Sequence, residues 1–197
     1  MFIAFEGLDG SGSSTHSLLL SKKLREDGHK VALTKEPTNN LIGGLIRGVL
    51  SHQWTVTPET LQLLFSADRG HHVQMEIEPW LQEGRVVITD RYIFSTLAFG
   101  SLDMADKDWL IAMNSKFRIP DITLLIKVSP EECVRRITQN RANVELFEEV
   151  EKLQKVWERY EELSQEYSNV YIIDGEQTKE QVQEQIYTIV QEYMKNN

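Results

Sequence analysis

Short apolar runs rich in β-branched residues recur along the chain at Phe2–Phe5, Val31–Thr34, Val86–Thr89, Ile122–Val128 and Val170–Ile173. Each has the length of a strand and the composition of a buried one. Between them lie longer segments with apolar residues at three- and four-residue spacing. These predict helices over 13–27, 40–50, 58–82, 93–116, 130–140, 144–168 and 179–195. Alternation of strand and helix implies an α/β fold of three layers, about five parallel strands with helices on both faces.

Several boundaries carry their own chemistry. Ser129-Pro130-Glu131-Glu132 offers an N-cap serine, a proline at the first helical position and a glutamate able to reach back. Thr178 and Gln181 repeat the capping-box spacing, Thr57-Pro58-Glu59 opens another helix, and Gly28 sits where a left-handed residue would stop the first one. With no repeat, low-complexity tract or Gly/Ser/Pro-rich linker, residues 1–197 read as one domain.

Composition narrows the classes. A chain of 197 residues that is 41% apolar can bury a core without disulfide or structural metal, and Cys133 alone can form no internal bridge. Thirty acidic against 21 basic residues give a net charge of −9, so nothing global favours nucleic acid. No apolar run reaches membrane-spanning length, and Met1–Phe5 meets Glu6 too soon for a signal peptide, so the expected place is the cytoplasm. Any phosphate chemistry must come from placed residues.

Such residues follow the first strand directly, in Gly7-Leu8-Asp9-Gly10-Ser11-Gly12-Ser13-Ser14-Thr15, with Leu20 and Leu24 then at helical spacing. Glycines let backbone N–H groups turn inward on an anion, and the following helix N-terminus adds partial positive charge. The phosphate-loop pattern G-x-x-x-x-G-K-[ST] is met at Gly7, Gly12 and Ser14, with Ser13 in the lysine position. The third strand ends in Asp90 and Arg91, at the carboxyl edge where ligands of open α/β sheets bind. Asp90 either joins the Ser14 hydroxyl in holding Mg²⁺ or caps the next helix. Phe65 and Arg69, four apart, share a helix face. They either stack on and grip one substrate or serve as core residue and ion-pair partner.

With these pieces in order, the sequence resembles the thymidylate kinase family across nearly its whole length. The resemblance rests on Phe5–Gly12, Lys35-Glu36-Pro37, Leu64-Phe65-Ser66-Ala67-Asp68-Arg69, Asp90-Arg91-Tyr92, Ser95–Phe99, Pro120-Asp121 and the last strand with Asp174. It implies a P-loop kinase that moves the ATP γ-phosphoryl group to dTMP with Mg²⁺, and a homodimer. By the same resemblance, Phe65 stacks on thymine, Arg69 meets the base and acceptor phosphate, and Arg91 orients that phosphate beside Asp90. Asp9 then lies near the sugar 3′-hydroxyl, Thr96 at the base edge and Phe99 against the 2′ position, with Glu36 in the acceptor site. A lid over about 136–148 would bring Arg136 and Arg141 to the phosphates, with Arg135 equally available.

Two departures stand out: Ser13 for the loop lysine, and Lys35 for the arginine usual before Glu36, which keeps charge but loses a bidentate fork. Phosphoryl transfer needs the β and γ oxygens neutralised. Gly10 and Ser11 supply no cation, so the lid arginines are the expected replacement. Two rival readings are a kinase for another pyrimidine deoxynucleotide and a nucleotide-binding protein that has lost catalysis. Adjacent His71 and His72 point apart on a helix and lack partners at zinc-ligand spacing.

Overall fold

The computed structural model describes residues 1–104, 106–138 and 146–196. Five parallel strands form one sheet in the order β2-β3-β1-β4-β5, with β1 at Phe2–Gly7, β2 at Val31–Lys35, β3 at Val86–Asp90, β4 at Ile122–Lys127 and β5 at Val170–Asp174. In register, Phe5 lies beside Asp90 on one side and Leu124 on the other. The connection from β1 runs toward β2 and that from neighbouring β3 toward β4, in opposite directions, which opens a crevice between the carboxyl ends of β1 and β3. Phe2, Ile3, Phe5, Ile88, Leu124 and Leu125 are wholly buried, the signature of a sheet covered on both faces.

Helix α1 (Ser13–Glu26) packs on β1, β2 and β3 and against α9 (Lys179–Asn196). Helices α5 (Ile93–Asp103) and α8 (Leu146–Glu166) pack on each other and on β1 and β5 respectively. This is the three-layer α/β arrangement of P-loop kinases. The remaining helices are α2 (Leu41–Leu50), α3 (Pro58–His72), α4 (Glu78–Gln82), α6 (Lys107–Asn114) and α7 (Pro130–Thr138). No described helix is long and apolar enough to cross a membrane.

Several boundaries follow their sequence cues. Thr57 Oγ1 accepts from the Thr60 N–H at 3.3 Å, and Thr178 and Gln181 cap each other at 3.3 and 3.1 Å. Gly28 stops α1 with φ +91°. Others differ from expectation for local reasons. The 58–82 helix carries a π turn at Val73–Ile77, just before Pro79, which has no N–H for the normal ladder. The 93–116 helix breaks at Met104, in extended conformation, because Asp106 caps a new helix by accepting from the Trp109 N–H at 2.9 Å. At Ser129 the reaching partner is Glu176, at 2.8 Å from the serine N–H, because Glu132 is engaged by Arg135 and Arg136. Finally, β5 is an edge strand with Tyr171 and Ile172 on the surface, so it is not buried like the other apolar runs; only Ile173 enters the core.

Candidate active site

The phosphate loop forms where the sequence placed it. Gly10 (φ +84°) and Gly12 (φ +98°) hold backbone that L side chains rarely adopt, and a Cβ on Gly10 would stand 2.7 Å from the Cys133 carbonyl. A hydrogen bond of 3.1 Å from the Ser11 N–H to the Leu8 carbonyl tightens the turn. The first α1 amides after Gly12 have no intrahelical acceptor and face the crevice. A cleft of about 550 Å³ opens above, lined by residues 8–16 and by Arg91, Arg136, Gly175, Gln177 and Lys179.

Ser13 is buried and brings no charge. Cations come from other elements. Arg136, on α7, donates from Nε to Glu132 Oε1 at 2.8 Å, from Nη1 to the Ser11 carbonyl at 3.4 Å and from Nη2 to the Gly175 carbonyl at 3.2 Å. Hydrogen bonds from Arg135 and then Arg136 hold the Glu132 carboxyl down at about 2. Lys179, read from sequence only as part of a helix start, also faces the cleft. Arg141 lies outside the described residues, as does most of the expected lid.

Asp90 closes β3 beside the loop. Its Oδ2 accepts from the Ser14 hydroxyl, while its Oδ1 is buried with no partner among the described residues. Arg91 follows in left-handed backbone, φ +69°, a conformation that a non-glycine residue holds only when its surroundings enforce it. Its N–H bonds the Phe5 carbonyl at 2.8 Å. Nη1 donates to the Gly7 carbonyl at 3.1 Å and to Ser95 Oγ at 3.0 Å, and Nη2 to Asp9 Oδ1 at 2.7 Å. The guanidinium also sits 5.2 Å from the centre of the Phe99 ring. Burial opposes its charge, but Tyr160, Asp9, Glu6 and Asp90 together outweigh that and keep it protonated.

Behind Arg91 lies a network that the sequence did not announce. Glu6 is 1% exposed; it accepts from the Tyr92 and Ser95 N–H groups at 3.0 and 3.2 Å, from the Ser95 hydroxyl, and from Tyr160 at 3.1 Å. Desolvation raises its pKa, against the hydrogen bonds from Ser95. Tyr160 also reaches the Gly7 carbonyl at 3.3 Å, which ties α8 to the loop. The available signal was an acid inside an apolar strand, since a buried carboxylate needs partners.

A second cleft of about 470 Å³ lies between α3 and α5 and includes Asp9, Phe65, Arg69, Arg91, Thr96 and Phe99. Phe65 and Arg69 share the α3 face, as their spacing predicts. Arg69 is 1% exposed and braced as the pocket floor. It donates from Nε and Nη2 to Glu36 Oε2 at 2.9 and 2.7 Å, and from Nη2 to the Tyr92 carbonyl and Thr96 Oγ1, both at 3.0 Å. Its Nη1 bonds Asn114, another residue sequence reading passed over. Glu36 is held from behind by His72 Nδ1 at 3.0 Å, and His72 Nε2 meets Thr34 at 2.8 Å. Lys35, Arg47 and Lys152 add further cations to the lining. Arg47 was legible as the one cation on the otherwise apolar α2.

Arg91 and Asp9 line both clefts, so the loop cleft and the α3–α5 pocket meet at one ion pair. The sequence profile of the family described as thymidylate kinase matches residues 5–186. The chain is 38% identical over 196 residues to the probable thymidylate kinase of Methanocaldococcus jannaschii, covering all of this chain and 96% of that protein. It is 36% identical over 194 residues to that of Pyrococcus horikoshii, covering 96% and 95%. With the protein so named in Thermococcus gammatolerans the figure is 34% over 201 residues, covering 98% and 96%. The profile spans the residues that build both clefts, and the chain belongs to the thymidylate kinase family.

Proposed function

We propose that this chain transfers the γ-phosphoryl group of ATP to dTMP, with ATP in the loop cleft and dTMP in the pocket between α3 and α5. The observation that carries the reading is the shared Asp9–Arg91 wall, which lets two anionic nucleotides approach end to end across one fixed cation. The loop amides and the α1 N-terminus hold the donor's phosphates, helped by Arg136 and Lys179. Arg91, Lys35 and Arg47 neutralise the acceptor phosphate. Phe65 stacks on the base, Arg69 and Thr96 meet its edge, Phe99 crowds the sugar and Asp9 lies by the 3′-hydroxyl.

Mg²⁺ fits beside Ser14 and Asp90: Oδ1 is a buried oxygen without a partner among the described residues, and the Ser14 hydroxyl stands at Oδ2, giving the hard oxygen donors that ion takes. When bound with nucleotide, the ion draws negative charge off the β and γ oxygens. The protein's own part is positional. Gly7, Ser95 and Asp9 aim the Arg91 fork, and a cation held in place stabilises developing charge without reorganising.

The same reading assigns residues 1–197 to a single kinase unit with a lid over about 136–148, working in the cytoplasm as a homodimer. Support for the dimer is the exposed apolar face of α2 and α3, where Leu41, Leu45 and Leu63 are 82%, 43% and 51% exposed. The test is purified protein with ATP, Mg²⁺ and a panel of deoxynucleoside monophosphates. ADP and dTDP should appear fastest with dTMP. Turnover with no acceptor, or a preference for dCMP, would sink the assignment.

A further inference from the structure

Gln62 is a buried polar side chain whose carboxamide oxygen has no hydrogen-bond partner among the described residues, in a pocket whose floor, Arg69, is fully braced. It stands three residues before Phe65 and seven before Arg69, so the three share one face of α3, and all three line the α3–α5 pocket. It is 6% exposed, and its Oε1 is shielded with no hydrogen bond from any described residue. An amide buried this way is unfavourable unless something else completes it.

The residue opposite makes the same point from another helix. Gly100 lies inside α5, where glycine weakens helical structure. A Cβ there would stand 3.0 Å from the Gln62 amide carbon, 3.1 Å from Oε1 and 3.3 Å from Nε2. The two unfavourable choices explain each other: the missing side chain on α5 leaves room for the carboxamide on α3, and both belong to the pocket wall. Arg69 is fixed in place by Glu36, Asn114 and Tyr92, whereas no described residue hydrogen-bonds the Gln62 carboxamide oxygen.

We propose that Gln62 is an acceptor-specificity residue whose carboxamide hydrogen-bonds the pyrimidine nucleoside monophosphate seated between α3 and α5. The inference rests on the assignment of the acceptor to that pocket. A half-turn about the terminal torsion exchanges the N–H and C=O ends of the amide, so it can meet either a ring carbonyl or a ring N–H. Phe65, Phe99 and Leu102 border the same space and keep it apolar, which strengthens a single neutral hydrogen bond.

Steady-state kinetics of Gln62→Met test the proposal, since methionine keeps the length and removes the amide. The KM for dTMP should rise about three- to tenfold, the range of one neutral hydrogen bond. The KM for ATP and kcat should stay within about twofold, the split that marks lost binding and not lost chemistry. The thermal midpoint should hold or rise, because an unpaired buried amide has gone. Gly100→Ala, which pushes on the carboxamide, should raise the KM for dTMP in the same direction, and less so when added to Gln62→Met. If Gln62→Met leaves the dTMP KM unchanged while Phe65→Ala raises it, Gln62 has no such role and the pocket assignment stands. If neither variant moves that KM, the pocket assignment falls as well. A parallel loss of kcat, both KM values and melting temperature would mark Gln62 as packing and overturn the proposal.

Discussion

The loop cleft, the proposed donor site, is built mainly on one contiguous stretch, Leu8–His16, whose backbone amides are its anion-holding groups. The α3–α5 pocket, the proposed acceptor site, instead draws on β2, α2, α3, β3, α5 and α8, and its central groups, Glu36, Arg69 and Thr96, are side chains braced by other side chains. Local backbone geometry suffices for a phosphate, whose charge is symmetric and reachable from many directions. A nucleobase presents a flat face and a patterned edge, so its site must fix several side chains at once. The donor cleft is nevertheless incomplete on its own. With serine at position 13, its cations arrive from Arg91, Arg136 and Lys179, each on a different element.

The sharpest way to break this contrast is Glu36→Ala. It strands the buried Arg69 guanidinium and should destabilise the protein by about 3–5 kcal/mol. Lys179→Ala, on the exposed donor side, should cost no more than about 0.5 kcal/mol. Urea denaturation of both variants checks the difference; equal losses would show that the acceptor pocket is not the braced half. Arg91→Ala removes the one cation common to both clefts among the described residues. It should lower kcat about 10²–10³-fold, as for loss of one preorganised charge donor, measured with both substrates saturating.

Phe65→Ala and Arg136→Ala sharpen the comparison as a pair. Truncating the stacking ring should weaken dTMP by about 1–3 kcal/mol, read in its KM, with the KM for ATP nearly unmoved. Arg136→Ala should act on the other side, lowering kcat at least about tenfold and weakening ATP. A kcat untouched by Arg136→Ala would move the substitute for the loop lysine to Lys179 or to residues outside those described.

The smallest effect concerns Glu6, behind the shared arginine. Burial raises its pKa above the ordinary 4.5, so the unfolded chain releases this proton first as pH rises. Stability contributed by this group is therefore greatest below pH 4.5 and declines as pH climbs from there through the raised value. Glu6→Gln should flatten that decline in a series of melting temperatures. A profile identical to that of the unaltered protein would mean that Glu6 does not titrate differently on folding.

How much of this was legible in the chain depends on the range of the interaction. The strands, most helix boundaries, the loop and the cap at Thr57 were readable because each is decided by neighbours a few residues apart. Exposure of β5 was not, since an apolar run looks the same at the centre of a sheet and at its edge. The break at Met104 had a cue in Asp106, but an acid three residues before an apolar turn competes with the helix that it interrupts. Phe65, Arg69, Asp90 and Arg91 stood out through motif and spacing. Asn114, Glu6 and Tyr160 did not, because their meaning lies in partners far along the chain: Glu6 and Tyr160 meet across 154 positions.

Sequence alone was enough for a parallel α/β kinase, a phosphate loop without its lysine, and many of the residue types that line the two clefts. These follow from periodicity, glycine's backbone freedom and the chemistry of short motifs. Only the tertiary structure decided that Arg69 is a braced floor fixed by Glu36 and Asn114, that Arg91 is aimed by Gly7, Ser95 and Asp9, and that the two clefts share it. The physical reason is that a hydrogen bond is satisfied by whichever group the fold brings within about 3 Å. That choice depends on how the strands are ordered and how the helices pack across them, which no local stretch of the chain encodes.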